Sequence, residues 1–314
     1  MKIALDAMGS DAHPAPDVEG AVTAAREFGI TVSLVGDEAR IKTELAKHDA
    51  RGLDLPIVHA LSAIGMTEHV DAVKSKRDAS MNVAMRLVKE RQADAFVTAG
   101  NTGAAMAAAI AGPFLLGRIK GIKRPALATT LPTATGRTLL LDIGANADVK
   151  PEYLYQFAVM GAAYAQKVMG IANPRVMLLS NGEEEGKGPI VVREAFALLK
   201  NSQLNFIGNA EGRDIPKGSA DVIVTDGFTG NVAIKLSESL AKTLVGFIRD
   251  EIKKRPLAVV GAALAKPAFD ALRSRLDPAE YGGGILLGVD GIVIIGHGSS
   301  NATAIKNAIR VAKE

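Results

Sequence analysis

The sequence predicts an α/β protein with a largely parallel sheet flanked by helices, and two observations support this prediction. Five short apolar runs each end in a polar turn that contains glycine. Near-continuous apolar runs of this kind are typical of strands covered on both faces, as in parallel sheets. Ligands of such sheets bind at the carboxyl ends of the strands, so we expect the five polar strand ends to converge on one cleft.

The clearest of the five is residues 95–106, where the apolar pattern changes in the middle. A run typical of a buried strand meets Gly100-Asn101-Thr102-Gly103, and an Ala-rich segment suited to a helix follows. The glycines allow a sharp turn and close approach of a ligand, and Asn101 or Thr102 can cap the helix, whose free N–H groups attract an anion. This turn is therefore a candidate phosphate or oxyanion site.

The same pattern recurs four times further along the chain, with different polar residues at each strand end. The four repeats are residues 139–146, 176–183, 222–231 and 292–301. The candidate site residues in and beside them are Asp142, Asn146, Glu183, Lys187, Asp226, Gly230, Asn231 and His297. For the histidine, a structural hydrogen bond and a site role are both open, because it lies between two glycines at a strand end.

The remaining elements follow from apolar periodicity and turn residues. Predicted strands cover residues 3–7, 31–35, 55–60 and 125–131. Predicted helices cover residues 16–28, 38–48, 80–91 and 151–169. Three cations, Lys74, Lys76 and Arg77, precede the third of these helices. They form either a solvated face or an electropositive rim that guides an acidic substrate.

Length, charge and composition limit the functional classes. Single cores rarely grow beyond about 250–300 residues, so a chain of 314 residues is expected to form two lobes. The formal charge of +3 is small and no basic run carries aromatic residues for base stacking, so nucleic-acid binding is not expected. The absence of cysteine excludes a thiolate nucleophile, an acyl-cysteine intermediate, a disulfide framework and a cysteine zinc site.

Neither a signal peptide nor a membrane span is expected. The apolar run at residues 1–8 is too short for a signal peptide. The longest nearly apolar stretch, residues 103–117, falls short of the roughly 18 residues that a transmembrane helix needs. We therefore expect a soluble, cytoplasmic protein.

Several standard catalytic motifs are absent or incomplete. Residues 182–188 resemble a phosphate-binding loop only superficially, since Gly188 stands where a hydroxyl should follow Lys187. Residues 296–301 are one glycine short of a dinucleotide-binding motif. No nucleophile elbow and no H-E-x-x-H motif occurs.

No metal site is expected from the sequence. Asp6, Asp11 and His13 surround the first strand end and could bind a cation, but aspartates in turns more often accept hydrogen bonds from backbone amides. The three consecutive glutamates at residues 183–185 repel one another, so at most one or two of them enter a site.

Six motifs, in chain order, resemble those of the bacterial acyl-carrier-protein:phosphate acyltransferase family of phospholipid synthesis. The resemblance covers essentially the whole chain, although Ser10 stands where the family usually has a second glycine. The motifs are residues 6–9, 99–103, 142–146, 181–188, 226–231, and 280–283 together with 297–299.

This resemblance implies a fold similar to phosphotransacetylase and to isocitrate and isopropylmalate dehydrogenases, with two lobes and a cleft between them, in a homodimer. We expect one lobe at about 1–124 with 285–314, and the other at 125–284 with a protruding helical arm at about 232–280. In the implied reaction, inorganic phosphate attacks the thioester of a long-chain acyl-carrier protein and gives acyl phosphate for glycerol-3-phosphate acylation. Phosphate is already a nucleophile at neutral pH, so positioning and charge stabilisation suffice and no cofactor is expected.

Side-chain chemistry suggests how the candidates would act in this implied reaction. Asn101, Thr102 and the helix start behind them would hold phosphate or the oxyanion, and Lys187 would act as a mobile cation. Asn146 and Asn231 would supply further hydrogen-bond donors.

The carboxylates and the histidine have more open roles. Asp142 or Asp226 would orient these groups or accept a proton from dihydrogen phosphate, and His297 would protonate the leaving thiolate. Four further residues are expected to line the substrate site, namely Gly100, Gly103, Glu183 and Gly230.

Three other functions remain open at this point. A dehydrogenase of related fold would need a complete dinucleotide loop or a set of metal-binding carboxylates, and a phosphotransacetylase-type enzyme would act on a different thioester. A non-catalytic, lipid-sensing scaffold would not need polar strand ends that converge.

The segment 252–276 is both apolar and cationic. Its helical stripes include Leu257, Val260 and Leu264, and Asp270 is its single acid. Its cations are Lys253, Lys254, Arg255, Lys266, Arg273 and Arg275. Such a segment serves as a dimer contact or rests on anionic lipid. The resemblance favours both, with the arm touching the membrane where acyl phosphate passes to a membrane-bound glycerol-3-phosphate acyltransferase.

Overall fold

A single continuous sheet of eleven strands runs through the computed structural model. The backbone of residues 1–314 is described, and the side chains of residues 273–276 and 278 lie outside the described set. In chain order the strands are β1 (Lys2–Asp6), β2 (Thr31–Gly36), β3 (Ile57–His59), β4 (Ala95–Thr98), β5 (Ala126–Thr133), β6 (Gly136–Leu141), β7 (Val176–Leu179), β8 (Phe206–Ala210), β9 (Val222–Val224), β10 (Gly284–Leu287) and β11 (Ile292–Ile295). Their order across the sheet is β3-β2-β1-β4-β11-β10-β5-β6-β9-β7-β8.

Helices connect the strands and cover both faces of the sheet. They are α1 (Ala15–Phe28), α2 (Glu38–Leu45), α3 (Ala72–Ser75), α4 (Ser80–Lys89), α5 (Thr102–Ala111), α6 (Pro151–Lys167), α7 (Ile190–Lys200), α8 (Asp214–Lys217), α9 (Gly227–Lys253), α10 (Pro256–Leu264), α11 (Lys266–Leu276) and α12 (Ala302–Lys313). A 3-10 turn at Pro278–Glu280 precedes β10.

The three strand pairs at the centre of the sheet are antiparallel, and this decides in which direction the strands of each half run. The pairs β11/β10, β10/β5 and β5/β6 are antiparallel, while the other neighbouring strands pair in parallel. Because of these three reversals, β1, β4 and β11 run in one direction and β6, β7 and β9 in the other, and we call the carboxyl ends of the two sets the first and the second edge. The registers nevertheless bring both edges to one level of the sheet, since Leu141 at the end of β6 is connected through Ala128 and Ile285 to Ile294, next to the end of β11. Convergence of the five polar strand ends on one cleft therefore stays a prediction.

The short link between β5 and β6 explains why the sequence did not reveal this reversal. Only residues 134–135 separate the two strands, so they form a hairpin. The first three residues of β5 and the last four of β6 are nevertheless buried, as in a parallel strand, and the apolar pattern does not distinguish the two directions.

The core lies in layers on both faces, and successive residues of one strand face different layers. In β4, Phe96 belongs to the cluster packed by α4 and α5, whereas Ala95 and Val97 belong to the cluster packed by α1 and α12. Alternation of this kind buries a strand on both faces. The close contact of α1 with α12 needs Gly20, because a Cβ atom there would lie 2.6 Å from the Cβ atom of Ile305.

The predicted elements agree with the structure except at some boundaries. The predicted helix at 16–28 corresponds to α1, and the one at 151–169 to α6, which ends at Lys167. The predicted helix at 38–48 ends earlier, at Leu45, and the strand at 55–60 is shortened to β3. The division into two lobes stays a prediction, since one sheet crosses the expected boundary between β10 and β5.

The arm forms three successive helices, α9, α10 and α11. The first is 27 residues long, and no residue of α10 is buried. Glu251, just before the segment 252–276, pairs with Lys254 at 2.6 Å and with Arg255 at 2.7 Å, so part of the expected positive charge is compensated. The predicted contributions of residues 273, 275 and 276 lie outside the described side chains. No described helix has both the length and the apolar character required to cross a bilayer.

Candidate functional site

The first set of strand ends is built around Asn101, the N-cap of α5. Its Oδ1 accepts a hydrogen bond from the Ala104 N–H at 3.0 Å, as the sequence predicted for a capping residue. Its Nδ2 donates to the carbonyls of Met66 at 3.0 Å and Glu68 at 3.1 Å. The amide donors of Asn101 therefore hold a neighbouring loop. An anion at this helix start would instead accept hydrogen bonds from the backbone N–H groups of the first helical turn, which have no partner within the helix.

Asp6, for which the sequence favoured hydrogen bonds from turn amides over a metal site, supports this turn, and its Oδ1 accepts from the Met8 N–H at 3.2 Å. Asp6 is 2% exposed, and its Oδ2 accepts from the Thr98 hydroxyl at 2.9 Å. The Thr98 Oγ1 in turn accepts from the Gly100 N–H at 2.9 Å. Burial raises the pKa of Asp6, and these hydrogen bonds oppose the shift. The series from Asp6 through Thr98 to Gly100 fixes the path of the chain into α5.

Behind Asp6 lies a second buried carboxyl group that the sequence interpretation missed. Asp17, in the first turn of α1, is 0% exposed, and its Oδ2 accepts from the Ser10 hydroxyl at 2.5 Å. No hydrogen bond reaches its Oδ1 from the described residues. Burial raises the pKa of Asp17 to about 8, and the charge of Asp6 adds to this shift. One feature of the sequence could have indicated that Asp17 is buried, namely its position beside Val18 at the start of an amphipathic helix.

His297 lies at the same edge, beside the end of β4. The Gly296 N–H donates to the Thr98 carbonyl at 2.7 Å, which aligns the two strand ends. The exposed His297 ring has its Nδ1 2.8 Å from the Ser299 Oγ and accepts from the Ser299 N–H at 3.3 Å. A ring nitrogen that accepts from an N–H carries no proton in the neutral form, so the neutral ring bears its proton on Nε2. That N–H is then available to a ligand.

At the second edge, Asp142 organises the loop that follows β6. It is 0% exposed, and its carboxylate accepts five hydrogen bonds. Oδ1 accepts from the N–H groups of Leu127, Gly144 and Ala145 at 2.9–3.1 Å, and Oδ2 accepts from Asn146. Burial raises the pKa of Asp142, and these donors oppose the shift. All of this geometry suits a residue that positions the loop.

The start of α9 packs directly on this loop. The Gly227 N–H donates to the Asn146 carbonyl at 2.7 Å. Asn146 is itself buried, and its Nδ2 donates to the Pro125 carbonyl and to Asp142, both at 2.8 Å. At Gly230 a Cβ atom would lie 1.9 Å from the Asp142 carbonyl oxygen, so only glycine fits there. Asn146 and Gly230 thus shape the site, and both donors of the Asn146 side chain are occupied.

Asp226 and Asn231 differ in how far their side chains are engaged. Asp226 is the N-cap of α9, and it accepts from the Thr229 N–H at 2.7 Å and from the Thr229 hydroxyl at 2.8 Å. Asn231 lies one turn further on, beside Gly144, and is half-buried. Among the described residues nothing forms a side-chain hydrogen bond with Asn231. Its amide is therefore available to a ligand, and its predicted role as a donor to phosphate or the oxyanion stays a prediction.

Lys187 and Glu183 belong to the loop after β7, at this second edge. The Lys187 side chain runs across Gly182, where a Cβ atom would lie 2.7 Å from the Lys187 Cγ. Lys187 is exposed and forms no ion pair within the described part of the chain. Glu183, by contrast, accepts from Arg213 at 2.9 Å. The lysine is thus an uncompensated cation, and the glutamate is already paired.

An acidic cluster beside this loop was not expected from the sequence. Oxygens of Glu183, Glu211 and Asp214 lie within 4.8 Å of one another, a spacing that could hold a metal ion. Arg213 already pairs with Glu183 at 2.9 Å and with Glu211 at 2.5 Å. Asp214 accepts from the Ser219 hydroxyl at 3.0 Å. These partners account for the cluster as an internal ion-pair network.

The structure therefore sorts the predicted site residues into two groups. At the first edge lie Gly100, Asn101, Thr102, Gly103 and His297, and at the second edge lie Asp142, Asn146, Glu183, Lys187, Asp226, Gly230 and Asn231. The loop after β6 reaches toward the first group, because Ile143 and Ala145 pack against the hydrophobic cluster to which α5 contributes Ala104 and Ala108.

Comparison with known proteins agrees with this architecture. Residues 1–314 match a family described as fatty acid synthesis protein. A phosphate acyltransferase from Geotalea uraniireducens is 54% identical over 315 residues, covering 100% of this chain and 90% of that protein. One from Pelotomaculum thermopropionicum is also 54% identical, covering 100% of this chain and 91% of that protein.

A solved structure supports the same fold. A phosphotransacetylase from Streptococcus pyogenes superposes with a TM-score of 0.62 at 20% identity, covering 99% of this chain and 93% of that chain. The predicted α/β class with a phosphotransacetylase-like fold is thereby confirmed.

Proposed function

This chain belongs to the phosphate acyltransferase family, and on that premise we propose that it moves a long-chain fatty acyl group from acyl-carrier protein to inorganic phosphate. A phosphate oxygen attacks the thioester carbonyl carbon, the carbon–sulfur bond breaks, and the carrier thiolate leaves and takes up a proton. The products are acyl phosphate, for glycerol-3-phosphate acylation in phospholipid synthesis, and free carrier protein. The observation that carries this proposal is the full-length match to relatives that are more than half identical.

Two features of the second edge supply what an attacking phosphate needs. Lys187 offers a positive charge that no described carboxylate compensates, and Asn231 offers a free amide. The loop that Asp142 orders and the start of α9 hold the site in place. Preorganised donors of this kind stabilise the negative charge on phosphate and the charge that develops at the carbonyl oxygen in the transition state. We assign binding of phosphate or of the oxyanion to this edge.

The first edge offers a second anion site and a proton donor. The free N–H groups of Thr102 and Gly103 begin α5, whose macrodipole favours an anion. In its imidazolium form His297 can give its Nε2 proton to the leaving thiolate and is left as neutral imidazole. Asp142 and Asp226 act by orienting the groups around them, since their oxygens already accept hydrogen bonds.

The arm supports the proposal of a homodimer that touches anionic lipid. Leu257 and Leu264 of α10 are 88% and 82% exposed, and exposed apolar patches of this kind mark surfaces that contact a protein or a membrane. Lys253 borders this surface, and so does Lys266, which pairs with Asp270 at 2.5 Å, so apolar burial and attraction of Lys253 to anionic headgroups would act together. We assign contact with the membrane, and with a membrane-bound glycerol-3-phosphate acyltransferase, to α10, and subunit contact to the exposed stripe of α9.

The test of the transfer reaction is phosphate-dependent release of carrier thiol from palmitoyl acyl-carrier protein. We expect stoichiometric free thiol and acyl phosphate, the latter trapped as a hydroxamate, with no release when phosphate is omitted. Thiol release without phosphate would identify a thioesterase and contradict the proposal. A fluorescence titration with reduced nicotinamide should show no binding, and saturable binding would favour the dehydrogenase alternative.

A further inference from the structure

A cavity of about 430 Å³ lies between α6 and α12, where the two halves of the sheet meet. Its polar lining includes Arg137 of β6, Tyr164 of α6 and Arg310 of α12. An adjoining cavity of about 470 Å³ shares Arg137 and Arg310. Small-molecule sites commonly have volumes of about 300–1,000 Å³ and often lie where two structural units meet. None of these residues belongs to the two groups assigned to acyl transfer.

One cation in this cavity is uncompensated. The Arg310 guanidinium donates to the Glu314 carboxylate, and also to the Glu280 carbonyl at 3.0 Å and the Asn307 Oδ1 at 3.3 Å. Arg137 is exposed, and within the described part of the chain its guanidinium has neither a hydrogen bond nor an ion pair. Arginine presents a planar fork of donors that matches a carboxylate, so Arg137 is equipped to bind an anionic head group.

Tyr164 adds a hydrogen-bond donor beside this cation. Its hydroxyl makes no hydrogen bond to the residues that the structure describes. Burial raises the pKa of Tyr164, as does the Glu314 carboxylate, while the charges of Arg310 and Arg137 oppose the shift. The phenol therefore keeps its proton at neutral pH, and both guanidinium groups act on it electrostatically.

The rest of the cavity wall combines polar groups, including Thr129, Thr130, Tyr281 and Glu314, with apolar side chains. Leu139 of β6 and Ile285 of β10 form part of the wall on the side of the sheet, and Val168, Met169 and Val311 form part of it on the side of the helices. An apolar chain placed against these residues would be removed from water, which is favourable in proportion to the area buried. The cavity thus joins an anion-binding end to an apolar surface.

We propose that this cavity binds a medium-chain fatty carboxylate, with its head group on Arg137 and Tyr164 and its chain against the wall formed by Leu139 and Ile285. One free cation and one phenol match a single negative charge. A phosphate dianion would need a second free cation, and Arg310 is already paired with Glu314. The site goes beyond the acyl-transfer reaction and does not depend on it.

Binding would bridge the two halves of the molecule. β6 and α6 contribute Arg137 and Tyr164, while β10 and α12 contribute Ile285 and Val311. A ligand that binds only the folded protein raises its melting temperature by mass action. Bound carboxylate should therefore raise the melting temperature, whether or not the protein transfers acyl groups.

The test is isothermal titration of the full chain with decanoate below its micelle concentration, with acetate, decanol and inorganic phosphate as separate arms. We expect saturable binding of decanoate at one site per chain and no comparable binding in the other arms. Arg137→Gln should weaken decanoate binding roughly ten- to a hundredfold, the scale for losing a charge-assisted hydrogen-bonded pair. Tyr164→Phe should weaken it several-fold.

The matched control is Arg193→Gln, which removes another exposed arginine, on α7, and should leave decanoate affinity unchanged. Absence of decanoate binding would overturn the proposal. Equal affinity of the wild type and Arg137→Gln for decanoate would also overturn it, since the decanoate would then be bound on an apolar surface such as the arm. Tight binding of inorganic phosphate that Arg137→Gln abolishes would also overturn it, because the site would then select a phosphate.

Discussion

The Asp142 carboxylate accepts two hydrogen bonds from Asn146, one from its backbone N–H at 2.7 Å and one from its side-chain Nδ2 at 2.8 Å. Three further backbone N–H groups point at the same carboxylate. A buried carboxylate with five donors holds its loop in one conformation, and the start of α9 packs on that loop through Gly227. The position of Asn231, four residues further along α9, depends on this arrangement.

The first prediction concerns Asp142. Asp142→Asn replaces one accepting oxygen by an NH₂ group that faces N–H donors, so buried donors lose their partner. We expect the free energy of unfolding to fall by about 3 kcal/mol or more, and the KM for phosphate to rise in the protein that remains folded. Urea unfolding and steady-state kinetics measure the two effects. Asp148→Asn, at an exposed neighbouring position, is the control and should change neither. Wild-type stability in Asp142→Asn would show that the carboxylate does not hold the loop.

The second prediction concerns Lys187. If this uncompensated cation clamps phosphate, Lys187→Gln should raise the KM for phosphate roughly tenfold or more, and Lys187→Arg should restore only part of the affinity because its planar fork presents donors differently. Lys200→Gln removes a nearby cation that is paired with Glu185 at 2.8 Å, and phosphate affinity should be retained in that variant. Should Lys187→Gln keep full phosphate affinity at several ionic strengths, the lysine belongs to a solvated loop.

The third prediction concerns the pH dependence of stability through Asp17. Its pKa is raised from 3.8 to about 8 in the folded protein, so between these values the native state binds more protons than the unfolded state. The contribution of Asp17 to stability is therefore full below about pH 4, declines as the pH rises, and levels off above about pH 8.

Asp17→Asn should flatten this dependence, because the amide does not titrate. We measure the free energy of unfolding in urea at intervals between about pH 4 and pH 9. Its change with pH should be less steep in Asp17→Asn than in the wild type, by on the order of 1 kcal/mol per pH unit. Glu19→Gln, on the exposed side of the same helix, is the control and should keep the slope of the wild type. Identical slopes in Asp17→Asn and the wild type would mean that Asp17 does not titrate in this range.

The fourth prediction concerns the arm. Leu257→Glu or Leu264→Glu places a negative charge on the exposed surface of α10, which should reduce sedimentation with phosphatidylglycerol vesicles and leave turnover of soluble acyl-carrier substrate largely intact. Ile190→Glu is a matched control, since Ile190 of α7 is 66% exposed and lies outside the arm. If vesicle binding is undiminished and the dimer instead dissociates, α10 is a subunit interface alone.

Much of the local structure was predictable because it depends on neighbouring residues. Asn101 caps α5 because a side-chain oxygen three residues before Ala104 can reach its N–H, and this spacing is visible in the sequence. The alternating burial of β4 follows from its continuous apolar composition. By contrast, Asp17 was missed because its burial depends on how α1 packs against the sheet.

The sequence by itself determined the α/β class, most of the helices and strands, the identity of the polar strand ends and, through its motifs, the family. Only the tertiary structure decided which of those ends share an edge, because apolar burial is the same for a parallel and an antiparallel strand. The reversal at β10, β5 and β6 means that Asn101 and Lys187 follow strands that run in opposite directions. It also brings Ile285 and Val311 against Arg137 and Tyr164 around one cavity, since the long-range pairing of β10 with β5, rather than any local pattern, joins the two halves there.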